Sequence, residues 1–546
     1  MSFRLLYLAR TTLFLLLAYS AVYLYIDYAG DWAPYGRGLL TFNSKIYWIE
    51  IPFFLLIASL VYFPSVKNPI LRNCLPLVPG LILYALFDVF YSYFGRVATP
   101  SDFNNLFDIY SFSVELALGA IFLYLLIPFS IFISVYLNRT YSFSELKKPL
   151  IIRGLALLAM IVLLASPLAT RFQNNNFNYT VWAQEDTIRE NGRFNSAVFY
   201  AKQEYSNAQI LKEYANRQQA VTNIKKTLFP DELANKENIH IIVLESFIDP
   251  RLIKELNLEA SFIAEELLKY LGGEIDFSRI ITPIYGGGTA ESEFELLTGI
   301  QGLGKVNQIE FNVMQGNKTD SFVNILRAQN YYSQATIAPS SEYFNSKRAY
   351  KSLGFDKVLY LQDDNLLERD SNDEPIFDGD LLDYNLKFII NHIATNRQPL
   401  FNYVLGMYGH LPFERNKNKR PDVISNLHSD DRLNRIANQF YYRTKAIALF
   451  LDQLTRIDPN AIIFITSDHL PSILGSQVHY ELGNNVNIAL MLNGGKKMEI
   501  NNKGLYQIPW LIWDKLSKQS FSREMDKSKM DELYFTLLSQ SLARGQ

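Results

Sequence analysis

Residues 240–246 read HIIVLES, a run of apolar, mostly β-branched side chains that ends in a glutamate and a serine. A short apolar run bounded by polar residues is typical of a strand that is buried on both faces of a sheet. Comparable runs recur through the second half of the chain. They are FSRIITPI at 277–284, YYSQATIA at 331–338, FNYVLGMYG at 401–409, AIIFITSD at 461–468 and NIALMLNG at 487–494.

Between these runs lie segments with the apolar spacing of helices, at 258–271, 319–329, 379–395 and 431–456. Strands that alternate with helices predict an α/β domain whose largely parallel central sheet is covered on both faces. We expect this domain to occupy residues 237–546. In such folds the functional groups gather outside the carboxyl ends of the strands.

The first third of the chain is different, because it contains long apolar runs and few charges. Each run is close to the length of about 20 residues that a helix needs to cross a bilayer. The sequence therefore predicts a transmembrane domain of five helices over residues 1–170. The expected spans are 5–26, 47–64, 73–95, 114–136 and 149–168.

Loop charges predict the orientation of these spans. Arg4 and Arg10 lie at the start of the first span, whereas Asp27 and Asp31 follow it. Under the positive-inside rule the N-terminus is cytoplasmic, and five crossings leave the α/β domain on the outer side. We therefore expect a multi-pass membrane protein whose α/β domain is periplasmic or extracellular. Residues 171–236 are polar with helical spacing, and they predict a helical linker near the membrane surface.

Composition excludes several classes of function. The 546 residues carry a net charge of only −2, which gives no electrostatic basis for binding nucleic acid. The single cysteine, Cys74, rules out an intramolecular disulfide and a cysteine-based zinc site. The outer domain has no G-x-x-x-x-G-K-[ST] or G-x-G-x-x-G loop for a nucleotide and no G-x-S-x-G elbow.

Polar residues stand where the predicted strands end. A Glu, an Asp and a His at three strand ends could bind a divalent cation such as Mn²⁺, Mg²⁺ or Zn²⁺. Each could also be an ordinary strand-end carboxylate or a packed histidine, and spacing alone leaves both interpretations open. The polar residues at or just past the predicted strand ends are Glu245, Thr289, His410, Asp468 and His469, and the candidate metal ligands among them are Glu245, Asp468 and His469.

Thr289 stands in the stretch TPIYGGGTAESEFELLTG, residues 282–299. Three glycines allow a sharp turn and the close approach of an anion, and the acidic segment that follows suits the start of a helix. We expect Thr289 at the N-cap. There its hydroxyl could simply cap the helix, or it could act as a nucleophile at a position that favours phosphate.

The motifs VLESF, GGGTAESEFELLTG, YGHLPF and TSDH, in this order after a five-span anchor, resemble the lipoteichoic acid synthase and phosphoglycerol transferase family. That family is a branch of the alkaline-phosphatase/sulfatase superfamily. The resemblance implies one divalent metal ion, usually manganese, held by Glu245, Thr289, Asp468 and His469. It also implies that Thr289 is the nucleophile and that His410 contacts the substrate phosphate.

The reaction implied by the resemblance moves glycerol phosphate from phosphatidylglycerol to a glycan or glycolipid acceptor, without a nucleotide. The resemblance weakens at 343–357, where Phe344 and Ser346 stand in place of a family tryptophan and arginine, so Arg348 or Lys347 is the candidate cation for the substrate. Three alternatives stay open. They are a phosphoethanolamine transferase, a sulfatase-like hydrolase and a binding module without catalysis.

Overall fold

The computed structural model describes a defined subset of the chain in two compact units, residues 1–204 and 205–546, which are presented separately. The described ranges are 3–29, 45–59, 68–94, 97–100, 191–216 and 223–542. The last range excludes 260–261, 307–308, 342, 364–374, 474–477 and 524. Isolated residues or pairs are also described at 62, 102, 151–152, 154–155, 158–159, 166 and 187–188.

The first unit is helical wherever its longer segments are described. Its interior is apolar and aromatic, and Phe14, Phe54 and Tyr84 are among the buried side chains. The helices are α1 Phe3–Ala29, α2 Lys45–Ser59, α3 Pro69–Asn73, α4 Val78–Phe94 and α5 Arg193–Asn216, the last of which continues into the second unit.

Helices α1, α2 and α4 cover most of the first three predicted spans. Within the described residues, one helix is long and apolar enough to cross a membrane, with its apolar window at Leu8–Tyr25, and a shorter apolar helical segment covers Leu75–Tyr91. The predicted span at 114–136 and most of that at 149–168 lie outside the described residues. The five-helix domain and the three-part division of the chain stay predictions.

The second unit is built on a nine-stranded sheet with the order β4-β3-β5-β1-β6-β7-β2-β9, in which β8 pairs with β7. Strands β4, β3, β5, β1 and β6 are parallel, whereas β7 is antiparallel to both β6 and β2. The strands are β1 Ile239–Leu244, β2 Ser278–Ile281, β3 Tyr332–Ile337, β4 Lys357–Tyr360, β5 Leu400–Gly406, β6 Ile462–Ser467, β7 Val486–Asn493, β8 Lys496–Met498 and β9 Lys503–Gly504.

Helices cover both faces of this sheet. Val404 of β5 belongs to a buried cluster with α11 and α12, whereas Phe401, on the opposite face of the same strand, contacts Phe322 of α9. This arrangement explains why the central strands are apolar throughout. The helices are α6 Ile224–Leu228, α7 Leu268–Leu271, α8 Thr289–Thr298, α9 Phe322–Ala328, α10 Ser346–Leu353, α11 Asp378–Thr395, α12 Asp431–Ile457, α13 Ile508–Ser517 and α14 Lys527–Leu542.

The predicted α/β architecture with a mostly parallel sheet is confirmed. All six predicted strands are present, and the helices predicted at 319–329, 379–395 and 431–456 occur within about three residues of their predicted limits. The helix predicted over 258–271 is shorter, because only a 3₁₀ turn and α7 form at its end. Strands β4, β8 and β9 were not predicted, since each is only two to four residues long.

Candidate metal and nucleophile site

The predicted site residues gather at the carboxyl edge of the sheet. Glu245 directly follows β1, and Asp468 and His469 directly follow β6. These two strands are parallel neighbours, and Leu244 lies opposite Ser467 at their ends. Adjacent parallel strands that end in the same register bring the residues after them together, as the strand-end rule predicts.

Thr289 reaches this edge through the glycine turn that precedes α8. Gly286, Gly287 and Gly288 have φ values of 77°, 153° and 94°, which residues other than glycine rarely adopt. The amide of Gly286 also donates to the carbonyl of Leu470, at 3.0 Å. The turn is therefore fastened to the segment that carries Asp468 and His469.

The expectation that Thr289 is the N-cap is wrong by one residue. Gly288 is the N-cap, and Thr289 is the first residue of α8. Its Oγ1 instead lies 2.8 Å from Oδ2 of Asp468 and 3.2 Å from Oε2 of Glu245. The hydroxyl is thus directed at two carboxylates rather than at the backbone of its own helix.

Glu245, Asp468 and His469 form a compact group of potential metal ligands. One ligand atom from each lies within 4.8 Å of those from the others, and all three side chains are buried. Nε2 of His469 is 3.3 Å from Asp468 and 3.5 Å from Glu245. Its Nδ1 lies 3.1 Å from the carbonyl oxygen of Leu470, a contact that fits a proton on Nδ1 and a lone pair on Nε2 directed at the carboxylates.

The electrostatics of this group favour a cation. Burial, together with the charge of Glu245, raises the pKa of Asp468 to about 6. Burial opposes a charge on His469, yet Asp468 and Glu245 raise the pKa of its imidazole. Two buried carboxylates and one imidazole nitrogen form a donor set that suits a divalent metal ion. The residues therefore fit the implied ion.

A second layer of hydrogen bonds orients the carboxylates. Oδ1 of Asp468 accepts from the amides of Ser246 and His469, at 2.9 and 2.8 Å. Ser246 Oγ donates to Glu245 at 2.8 Å, and Ser292 Oγ donates to the Asp468 carbonyl at 2.6 Å. Ser246 and Ser292 were missed in the sequence, although both lie within motifs that had been singled out. Such contacts fix the orientation of metal ligands.

His410 lies four residues beyond β5 and is partly buried. Burial lowers the pKa of its imidazole; a charge on His469 lowers it further and that of Asp468 raises it. Because β5 is the parallel neighbour of β1 and Gly406 lies opposite Leu244, His410 follows a strand that ends at the same edge of the sheet as Glu245. Its Nδ1 lies 2.9 Å from the carbonyl oxygen of Leu411.

Arg348 is placed differently. It is exposed on α10, whereas Ser346 and Tyr350 on the other side of that helix are buried. Ser346 Oγ lies 3.2 Å from the hydroxyl of Tyr360. The structure therefore brings Thr289, Glu245, Asp468, His469 and His410 together, and no described contact joins Arg348 to them. A role for Arg348 in substrate binding stays a prediction.

The acidic residues of α8 do more than begin a helix. Glu293 is buried and accepts hydrogen bonds from the hydroxyls of Tyr350 and Tyr403, and burial raises the pKa of Glu293 to about 7. Glu295 accepts from the amides of Gly302 and Tyr506, at 2.9 and 3.1 Å, and burial raises its pKa to about 8. These carboxyls fix α8, and hence Thr289, to the surrounding fold.

Residues 238–540, more than half of the chain, match the sulfatase family. The chain belongs to this family, which lies in the alkaline-phosphatase superfamily of metal-dependent enzymes. A relative from Rhizobium meliloti (strain 1021), named for cyclic beta-1,2-glucan modification, is 24% identical over 283 residues. That match covers 51% of this chain and 42% of the relative, so the chain spans less than half of the relative's length.

The following solved structures are similar to this chain. The integral membrane lipooligosaccharide phosphoethanolamine transferase A (EptA) from Neisseria meningitidis is 12% identical, with a TM-score of 0.50, and the match covers 95% of this chain and 98% of EptA. Streptococcus pyogenes phosphoglycerol transferase GacH is 18% identical (TM-score 0.41, covering 63% and 94%). Lipoteichoic acid synthase LtaP from Listeria monocytogenes is 15% identical (TM-score 0.42, covering 60% and 81%).

Proposed function

We propose that this protein is a membrane-bound, metal-dependent phosphoglycerol transferase that acts outside the cytoplasmic membrane. It moves glycerol phosphate from phosphatidylglycerol to a cell-surface glycan or glycolipid through a phosphothreonine intermediate at Thr289. The observation that carries the proposal is the position of the Thr289 hydroxyl, at the start of α8 and within 3.2 Å of two buried carboxylates. A threonine that only capped the helix would not need to lie beside two buried carboxylates.

The metal site would be formed by Glu245, Asp468 and His469 together with Thr289. When bound, a divalent ion such as Mn²⁺ lowers the pKa of a coordinated hydroxyl and neutralises charge on the phosphoryl oxygens. The start of α8 adds backbone N–H groups and the positive end of the helix dipole beside the phosphate. The glycine turn leaves room for that phosphate.

The first displacement uses the hydroxyl of Thr289. Its oxygen forms a bond to phosphorus while the bond from phosphorus to the diacylglycerol oxygen breaks. The hydroxyl proton passes to the Asp468 carboxylate, 2.8 Å away, and from there to the departing diacylglycerol. Thr289 then carries the phosphoglycerol group.

The second displacement returns the enzyme to its starting state. The acceptor hydroxyl attacks phosphorus while the bond from phosphorus to the Thr289 oxygen breaks, and the proton released by the acceptor is returned to the Thr289 oxygen. Because burial lowers the pKa of His410, its imidazole is neutral at neutral pH and can accept the proton of the acceptor hydroxyl. A glycan acceptor agrees with the relative named for glucan modification.

A phosphoethanolamine transferase acting on lipid A or a glycan is the second candidate, and the fold likeness to EptA over 95% of the chain keeps it in view. The residues that would select the head group are not settled by the motifs, since Phe344 and Ser346 replace the family tryptophan and arginine. A sulfatase-type hydrolase is disfavoured, because the C/S-x-P-x-R signature for the formylglycine nucleophile is missing.

The test is to incubate the purified full-length protein with head-group-labelled phosphatidylglycerol or phosphatidylethanolamine and to map covalent adducts by peptide mass spectrometry. The proposal predicts a phosphoglycerol adduct on Thr289. Thr289→Ala should carry none, whereas Thr298→Ala, at the other end of α8, should carry the same adduct as the parent. A phosphoethanolamine adduct would select the second candidate. No adduct on Thr289 with either lipid would refute the transferase mechanism.

A further inference from the structure

Arg443, in the middle of α12, is a buried cation beside the candidate site. Its side chain is 3% exposed, and its Nε donates to Oδ2 of Asp378 at 2.6 Å. Asp378 begins α11, and its side chain is fully buried. Removing either member of a buried ion pair leaves the other charge without compensation, so Arg443 and Asp378 act as one pair.

Arg443 has a second contact, and this one leads to the site. Its Nη2 donates to the backbone carbonyl of Glu245 at 2.8 Å. Glu245 lies just past the end of β1. Its amide, 3.3 Å from the Gly406 carbonyl oxygen, makes the last backbone hydrogen bond between β1 and β5. A buried carbonyl beyond the ladder needs a donor, and the guanidinium provides it.

Gly406, at the end of β5, and Gly409, three residues later, show how closely this contact is packed. A methyl group added at Gly409 would lie 2.0 Å from the Glu245 carbonyl oxygen and 2.5 Å from Nη1 of Arg443. One added at Gly406 would lie 2.5 Å from Oδ1 of Asp378. The segment that leads to His410 is therefore pressed against the same Arg443–Asp378 pair.

We propose that Arg443 is a positioning residue for the metal centre. It fixes the backbone of Glu245, and through Gly409 the approach to His410, while Asp378 balances its charge. This inference rests on the metal-dependent reaction proposed above. Arg443 itself touches neither the substrate nor the ion; it acts through the carbonyl of Glu245. Loss of an outer contact of this kind typically weakens metal binding by about 10–100-fold.

The competing explanation is that the pair only stabilises the fold. The two roles separate in a double variant, because removing both charges relieves the penalty of leaving one of them buried alone. If the pair is only structural, Asp378→Asn/Arg443→Met recovers both thermal stability and metal affinity. If Arg443 positions Glu245, the double variant recovers stability but still binds metal weakly, since the carbonyl has lost its donor.

The experiment measures Mn²⁺ binding to the full-length protein by electron paramagnetic resonance of free Mn²⁺, with a thermal melt of each variant. We expect Arg443→Met and the double variant to raise the Mn²⁺ Kd by about 10–100-fold. Arg435→Met is the matched control on α12, because Arg435 pairs with Asp431 near the surface, and its Kd should stay within about twofold of the parent.

Gly409→Ala gives an independent test, since the added methyl disturbs the same contact without removing a charge. It should also weaken Mn²⁺ binding, and the double variant carries the test if Arg443→Met does not fold. A double variant that binds Mn²⁺ within twofold of the parent would overturn the positioning role alone. A parent protein that binds no Mn²⁺ would overturn the proposed metal centre as well, and the two failures are therefore distinguishable.

Discussion

The two ends of the central strands use the same residue types in different ways. At the amino ends, Nε2 of His240 lies 3.0 Å from Oδ2 of Asp458, and Asn238 donates to the same oxygen at 2.8 Å. Burial opposes the charge of Asp458, yet these hydrogen bonds lower the pKa of its carboxyl. One acid faces one base, so the Asp458 carboxylate has its hydrogen-bond partners within the fold.

At the carboxyl ends, two carboxylates face a single imidazole. Glu245 and Asp468 lie in contact with His469, and burial together with the charge of Glu245 raises the pKa of Asp468 to about 6. This group is not balanced by its own members. A carboxylate with its own partners is what structure alone requires, whereas two buried carboxylates that share one imidazole are typical of a place where a cation completes the group.

The largest expected difference between the two ends is in transfer activity. Thr289→Ala removes the nucleophile, and head-group transfer should fall by at least about 10³-fold. Asp458→Asn changes only the amino ends, so turnover should stay within about twofold of the parent at a temperature where both are folded. Mass spectrometry of labelled acceptor products measures both. Equal losses in the two variants would remove the functional distinction.

The second expected difference between the two ends of the central strands is in metal affinity. Asp468→Asn deletes a direct ligand, so the Mn²⁺ Kd should rise by more than about 100-fold, beyond the usual cost of an outer contact. His240→Asn should leave it unchanged within about twofold. Isothermal titration calorimetry of the full-length protein in detergent gives both values. Retention of affinity by Asp468→Asn would contradict the ligand assignment.

The stability of the metal-free protein should change with opposite signs. In EDTA, Asp468→Asn removes one of two facing negative charges and should raise the free energy of unfolding by about 1 kcal/mol. Asp458→Asn breaks the hydrogen bonds of a partly buried carboxylate and should lower it by about 1–3 kcal/mol. Thermal melts should show shifts of a few degrees, upward for the first variant and downward for the second. A downward shift in both would mean that the carboxyl-end group is balanced too.

A further difference concerns pH and the acids of α8 behind the site. Burial raises the pKa of Glu295 from its ordinary 4.5 to about 8, so the folded protein holds a proton that the unfolded chain releases. This contribution to stability is complete below about pH 4.5 and is lost as the pH rises towards 8. Glu295→Gln should therefore flatten the fall in melting temperature between pH 6 and pH 8.

The matched control for this prediction is Glu266→Gln, which changes an exposed carboxyl of the same domain. It should leave the fall in melting temperature between pH 6 and pH 8 as it is in the parent. If Glu295→Gln also leaves it unchanged, then the buried carboxyl of Glu295 does not hold its proton at neutral pH.

The strand-end rule explains why much of the site could be predicted from the sequence. Glu245, Asp468 and His469 each follow an apolar run, and neighbouring parallel strands bring such positions to one edge whatever the loops between them do. Thr289 could be placed there because its glycine turn directly follows a predicted strand. Only its place in the helix was wrong, by one residue.

The supporting residues could not be predicted in the same way. Arg443 lies in a long amphipathic helix, where an arginine usually faces solvent, and its burial depends on the position of Asp378 on another helix. Glu293 and Glu295 resemble an acidic helix start, yet their partners lie between 7 and 211 residues away in sequence. Contacts of this kind come from tertiary packing, which local spacing does not encode.

The most direct test of the central claim is the anomalous scattering of manganese in crystals of the full-length protein grown with Mn²⁺. The account predicts one strong peak within about 2–2.5 Å of ligand atoms from Glu245, Asp468 and His469. A fully occupied ion bound elsewhere, for example at His240 and Asp458, with no peak at the carboxyl ends of β1 and β6, would contradict it.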